Sequence, residues 1–293
     1  MGKYSGHELK ESAIFFIPLV LFLGLFVLLP IIGTIISSLY QDISFLDKKF
    51  IFIDNYRHLP GDGEFRHSFR FTILFVAVSV PIEIVLGVIF ALILNHRLPL
   101  RGFLRAAVLI PWAIPAAISA RTWELIYNFH YGLANYIFLK TGLSEEAINW
   151  LGTGVGAFIA LVMADVWKTT PLVAIIVLAG LQAIPDDLME QAQIDRANFW
   201  QRFFRIALPL LRPVIIVALL FRTIDGLRIF DLIYVLTGGG PGGATTSLSL
   251  YGYRYFISGD FGYGAAISMT LFFTALILSI VYIKAARFGE IIR

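Results

Sequence analysis

Cysteine is absent from all 293 residues, so disulfides, thiolate metal sites and cysteine nucleophiles are excluded. Charge is scarce. Asp, Glu, Lys and Arg make up 15% of the chain against 58% apolar residues, and the mean hydropathy is +0.80. A soluble protein of this size needs more polar residues to cover its surface, and the apolar residues here run on without alternation. The five histidines (His7, His58, His67, His96 and His130) show no ligand spacing. The glycine run Gly238–Gly243 lacks the Lys-Ser/Thr ending of a phosphate loop. Gly152, Gly154 and Gly156 likewise miss the dinucleotide fingerprint. The run at 238–243 reads instead as an external reversal ahead of the last apolar segment. The net charge of +3 is spread in small clusters between the apolar runs, a pattern of membrane topology and not of a nucleic-acid stripe.

What is present is a series of apolar segments, each near the roughly 20 residues that span a bilayer. They lie at about 13–39, 71–95, 104–127, 155–181, 206–224 and 261–283. The first is too long for a signal-peptide core and lacks a small-residue cleavage site, so it reads as an uncleaved helix. The expected fold is all-α and integral to the membrane, with six transmembrane helices in a single domain over 1–293. With the amino terminus inside, the inner segments hold Lys3, Lys10, Arg97, Arg101, Arg105, Arg196, Arg202, Arg205, Arg212, Lys284, Arg287 and Arg293, a larger basic set than the outer loops hold. This bias places both termini in the cytoplasm.

The connection after the fourth segment has a pattern of its own. Pro185 stops the preceding helix. Asp187 and Glu190 have capping-box spacing, so a new helix is expected there. Leu188, Met189, Ala192 and Ile194 give it an apolar side. Phe199, Trp200, Phe203 and Phe204 form a second apolar cluster, and Pro209 and Pro213 bracket the entry to the fifth span. Two short amphipathic helices of this kind lie on a lipid surface or fill a groove on a partner, and the residues alone leave both open.

At Glu190, Gln191, Ala192, Arg196, Ile206, Leu208 and Pro209 the loop resembles the signature of binding-protein-dependent ABC permeases: Glu-Ala-Ala, three residues, Gly, nine residues, Ile, one residue, Leu-Pro. Every spacing holds. Gln191 replaces an alanine, and Arg196 replaces the glycine that would take a positive φ, which puts the family's turn in question and suggests one centred on Asn198. FIFIDNYRHL at 50–59, the stretches 110–136 and 166–192, and FDLIYVLTGGGPGGATTSLSLYGYRYF at 230–256 resemble the carbohydrate-uptake branch of that family, which includes maltose, glycerol-3-phosphate and trehalose permeases. The resemblance implies a type I importer permease in a bacterial or archaeal cytoplasmic membrane, importing a sugar or sugar-like solute. It implies a coupling loop at 185–209, in which Glu190, Gln191, Ala192, Asp195, Arg196 and Ala197 dock an ATPase. It also implies a second homologous permease, an ABC ATPase dimer that carries ATP and Mg, and an extracytoplasmic solute-binding protein. This chain itself would hold no cofactor, metal or catalytic residue.

Ionisable residues at bilayer depth are costly and point to function by default. Arg121 with Glu124, and Asp165 with Lys168, are three apart and able to pair on one helix face. Glu83 has no neighbour in sequence and calls for a partner on another helix. Arg222, Asp225, Arg228 and Asp231 alternate in sign every three residues. With Phe230 and Tyr234 nearby they suit a sugar, which needs hydroxyl partners and a stacking face. The candidate path is therefore Asp225, Arg228, Asp231, Tyr234, Asp165 and Lys168, with a purely structural ion-pair ladder as the competing reading. An ion-coupled secondary transporter using Glu83, Asp165 and Asp225 is the alternative function. Against it, the sequence shows no inverted internal repeat.

Overall fold

The computed structural model describes residues 16–96 and 99–286. Lys3, Lys10, Arg97, Arg287, Arg293 and the start of the first segment at Ala13 lie outside the described residues. The chain is mostly helical, and it divides into two compact units. The smaller contains α1 (Phe16–Ser38), a two-stranded hairpin of β1 (Tyr40–Gln41) and β2 (Lys49–Phe50), α2 (Asp54–His58), and Gly252–Thr270. The larger comprises Gly63–Tyr251 and the chain from Leu271 onward.

In the smaller unit the chain leaving α1 is tied down by side chains of the Asp-Asn-Tyr element. Asn55 is buried, and its Nδ2 donates to the carbonyls of Ser38 and Tyr40, both at 2.9 Å. Tyr56 shares a 2.7 Å hydrogen bond with Ser38 Oγ. Buried carbonyls at a helix end need such donors, and two adjacent residues supply them here. The Ser44 N–H donates to Gly259 O, and Tyr263 Oη donates to Asp62.

The larger unit is built on α3 (Gly63–Asn95) and α7 (Gly154–Gln182). They approach closely where Gly87 faces Val173. A Cβ at Gly87 would lie 2.4 Å from the valine side chain, so only glycine allows this separation. The other helices are α4 (Arg101–Ala113), α5 (Ala116–Ile126), α6 (Leu133–Lys140), α8 (Asp186–Ile194), α9 (Phe199–Leu227) and α10 (Asp231–Leu236), while α11 covers Leu248–Ile257 and α12 Phe261–Ala286. One apolar cluster gathers Phe71, Phe75, Leu161, Ile233 and Leu250. A second gathers Leu94, Val177, Leu181 and Leu211, with Met189 of α8 packed against it.

Among the described residues, five helices are long and apolar enough to cross a membrane. The expected third span is instead a pair, α4 and α5, bent by 89°. Its break lies at Ile114 and Pro115, both extended, because Pro115 has no N–H to continue the ladder and biases the residue before it away from helix. The second helix starts at Gly63 and not near Phe71, since polarity ends an apolar window without ending a helix. The fifth begins at Phe199, so Pro209 and Pro213 lie within one continuous helix and do not bracket its entry. Pro209 deprives the Arg205 carbonyl of its donor, and the chain widens to a π turn over Phe203–Ala207. The reversal at 238–243 is present. Gly238, Gly239, Gly242 and Gly243 all have positive φ, and Thr245 Oγ1 donates to Gly240 O at 2.6 Å. It leads first into α11, which no apolar run had marked, before the last span.

Candidate functional site

Two groups of residues in the larger unit carry the polar chemistry. The first is an ion cluster that joins three of the long helices. Arg222 of α9 is 2% exposed and meets three carboxylates. Its Nε donates to Glu83 Oε2 at 2.5 Å and its Nη2 to Glu83 Oε1 at 3.1 Å, a bidentate pairing between α9 and α3. Nη2 also reaches Asp165 of α7 at 3.2 Å, and Nη1 reaches Asp225 at 2.5 Å. Asp225 in turn accepts from Arg228 Nη2 at 3.3 Å. Glu83 is wholly buried, so its expected cross-helix partner is Arg222. Three helices are thus joined through one guanidinium, whose planar fork suits several carboxylates at once.

Beside the cluster is a cavity of about 290 Å³, close to the lower limit of roughly 300 Å³ for pockets that take small molecules. Asp165, Lys168, Thr169, Asp225, Arg228, Phe230 and Asp231 contribute to its wall, together with Ala116 at the start of α5. Five of the six path residues read from the sequence therefore come together. Tyr234 is not on this wall. It stacks on Phe230 with ring centroids 5.4 Å apart and 13° between planes, so it braces an aromatic face that does line the cavity.

Two pairings differ from the sequence reading. Lys168 does not pair with Asp165. Its ammonium donates to the carbonyls of Trp112, at 3.3 Å, and of Ile114, at the break between α4 and α5. Those carbonyls end a helix and lack helical donors, and they take the ammonium while Arg222 holds the Asp165 carboxylate. The sign-alternating ladder stops at Arg228, because α9 ends at Leu227 and Asp231 opens α10. Arg121 and Glu124 do pair, at 2.5 Å, on an exposed face. Sequence reasoning missed Thr169 on the cavity wall and Arg222 as the centre of the ion cluster. The spacing to Asp225 and a charge at bilayer depth were the traces of Arg222 in the sequence, since its other partners, Glu83 and Asp165, are 139 and 57 residues away.

The second group is the loop after α7. A helix over Asp186–Ile194 is present, but Pro185 is its N-cap and no side chain caps it. The capping box is instead at Asn198 and Gln201, which exchange 2.8 Å bonds at the start of α9. Asn198 prefers that role because its side-chain oxygen satisfies an orphan N–H. The turn is not centred on it. Arg196 takes the left-handed conformation, with φ of 55°, in the place where the family pattern has glycine. Ala197 N–H closes the turn on Ala192 O at 2.9 Å. Ala192 and Met189 face the core, whereas Glu190, Gln191, Asp195 and Arg196 are exposed. Ile194 is 80% exposed, an unusual position for an isoleucine.

Residues 83–288 match the family described as binding-protein-dependent transport system inner membrane components. The trehalose/maltose transport system permease protein MalF of Thermococcus litoralis is 53% identical over 288 residues, covering 98% of this chain and 97% of that protein. The sulfoquinovosyl glycerol transport system permease protein SmoG of Agrobacterium fabrum is 35% identical, covering 92% and 88%. Among solved structures, a chain of a bacterial alginate ABC transporter, in complex with an alginate pentasaccharide-bound periplasmic protein, superposes with a TM-score of 0.82. It is 22% identical, with coverage of 95% of this chain and 94% of that one, and it shares the fold.

Proposed function

The chain belongs to the family of binding-protein-dependent transport system inner membrane components, and from that premise we propose that it carries a neutral or charged sugar-like solute through the cytoplasmic membrane as one of two permeases in an ATP-driven importer. It is a multi-pass permease subunit, and family membership displaces the ion-coupled alternative. The solute arrives on an external binding protein. A second, homologous permease completes the path, and ATP with Mg is bound by a separate ATPase dimer. Both termini are cytoplasmic. The loop at 185–209 transmits ATPase motion to the spans, and the cavity beside Arg222 belongs to the solute path.

The observation that carries this reading is the pair of helices joined at Arg196. Their buried face is locked to the spans through Met189, Ala192 and Phe203, and their other face presents Glu190, Gln191, Asp195 and Ile194 outward. A lever needs both properties: a rigid attachment at one side and a free contact surface at the other. Support for a carbohydrate solute comes from the relatives' names and from the wall itself. Carboxylates and a threonine offer hydroxyl partners, and Phe230, stacked on Tyr234, offers an apolar ring face.

The test is trehalose-stimulated ATP hydrolysis in proteoliposomes containing this chain, its partner permease, the ATPase and the binding protein. Glu190→Lys should leave the chain inserted while abolishing stimulation and weakening co-purification with the ATPase. Unchanged stimulation would remove the loop from the coupling path.

A further inference from the structure

Lys168 occupies two places at once. Its ammonium donates to the carbonyls of Trp112 and Ile114, which flank the point where the third span bends by 89°, and its side chain also lines the cavity assigned above to the solute. We propose that Lys168 is a positioning residue for translocation, holding the break in the third span against the cavity wall so that solute occupancy and the bend of that span are linked. The inference rests on the reading of the cavity as solute path.

The chemistry favours this arrangement. At the C-terminal end of α4 the last carbonyls have no helical donor, and Pro115 contributes no N–H. In a bilayer such groups must find a partner inside the protein. A lysine at position 168 of α7, a helix packed along α4, supplies that partner across more than 50 residues of sequence. An ammonium carries three donors. Two are directed at the break, which leaves one for the cavity. The first residue of α5, Ala116, stands on the same cavity wall as Asp165, Thr169 and Asp225. A solute hydroxyl or ring oxygen that accepts from this third donor pulls the ammonium toward the cavity and stretches its bonds to the carbonyls of the break, and the angle between α4 and α5 responds. The helical hydrogen-bond ladder is interrupted at Ile114 and Pro115, so α4 and α5 can change their angle without breaking bonds within either helix.

The absence of cysteine makes the test direct. Spin labels at Phe103→Cys on α4 and Leu125→Cys on α5, both exposed positions, report the distance across the break in the assembled transporter in lipid nanodiscs. In the otherwise unmodified chain a single narrow distribution should shift when trehalose saturates the complex. Lys168→Met should broaden the distribution and remove the shift. It should also lower maximal uptake on the order of tenfold to a hundredfold, the equivalent of one charge-assisted hydrogen bond, while the KM moves far less. Lys168→Arg should restore the narrow distribution. The inference is overturned if Lys168→Met leaves distribution and uptake as they were, if Lys168→Arg fails to rescue, or if the break in the unmodified chain ignores trehalose. Phe230→Ala and Asp231→Asn separate this failure from that of the underlying reading. If both leave the trehalose KM unchanged, the cavity is not the path. If they raise it while Lys168→Met changes nothing, the path stands and the linkage falls.

Discussion

Removal of Arg222 should be the most damaging loss of a charged side chain in the membrane-embedded part of this permease. Arg222→Met keeps the length and apolar stem of the side chain but deletes the guanidinium that Glu83, Asp165 and Asp225 share. Their exposures decide the cost. Asp225 is half exposed and becomes solvated, whereas the Glu83 side chain is 0% exposed and that of Asp165 only 10%. Breaking a buried pair by removing one partner costs about 3–5 kcal/mol, because a charge is left uncompensated. Glu83→Gln should cost less, about 1–3 kcal/mol, since the amide oxygen still accepts from Arg222. The double variant removes the orphan charge along with its partner, so it should be more stable than Arg222→Met alone. The assay is thermal unfolding of the purified permease complex in detergent, run for the two single variants and the double. If the double variant equals the sum of the singles within about 0.5 kcal/mol, Glu83 and Arg222 do not interact energetically, and the guanidinium does not hold α3 to α9.

Other changes follow from single contacts. Arg196→Gly should keep assembly and raise stability by up to about 1 kcal/mol, because a left-handed φ is free of cost for glycine only; loss of ATPase binding on this change would mean that the turn differs from the one described. Asn198→Ala should remove the cap at the start of α9 and cost about 1 kcal/mol in the same melt, with reduced stimulation of ATP hydrolysis as the functional readout. Gly87→Val should separate α3 from α7 and prevent recovery of folded chain from membranes, as followed by size-exclusion chromatography. Full recovery would show that the helices have room to part.

The comparison of sequence with structure turns on range. Hydropathy reports depth in a bilayer, so it located the spans but mistook polarity for a helix end at Gly63 and at Phe199. Local pairs were read well when nothing nearby competed: Arg121 and Glu124 meet as their spacing implies. Asp165 and Lys168 have the same spacing and part company, each claimed by a stronger need on another helix. Those needs, an orphaned guanidinium and a broken helix, exist only after folding and leave no periodicity behind. The loop at 185–209 was legible in part: its two helices, set within about 20 consecutive residues, were expected, whereas the capping box lies at Asn198 and Gln201 and the turn at Arg196, not where the spacing had placed them.

The fate of Arg196 shows what a motif carries and what it does not. The expectation that arginine would move the turn rested on the intrinsic penalty of a left-handed residue, about 1–2 kcal/mol. The turn stayed in place. Asn198 with its capping box fixes the start of α9 on one side, and Ala192, buried with Met189 against the spans, fixes α8 on the other. The residues between must bridge two anchored ends, and Ala197 N–H reaches Ala192 O only if the chain turns at position 196. A penalty of that size is smaller than the combined worth of a cap and a packed helix face, so the anchors win and the strain remains. In this chain the spacing between two anchored helices therefore fixes the turn, and glycine would be the least costly way of joining them.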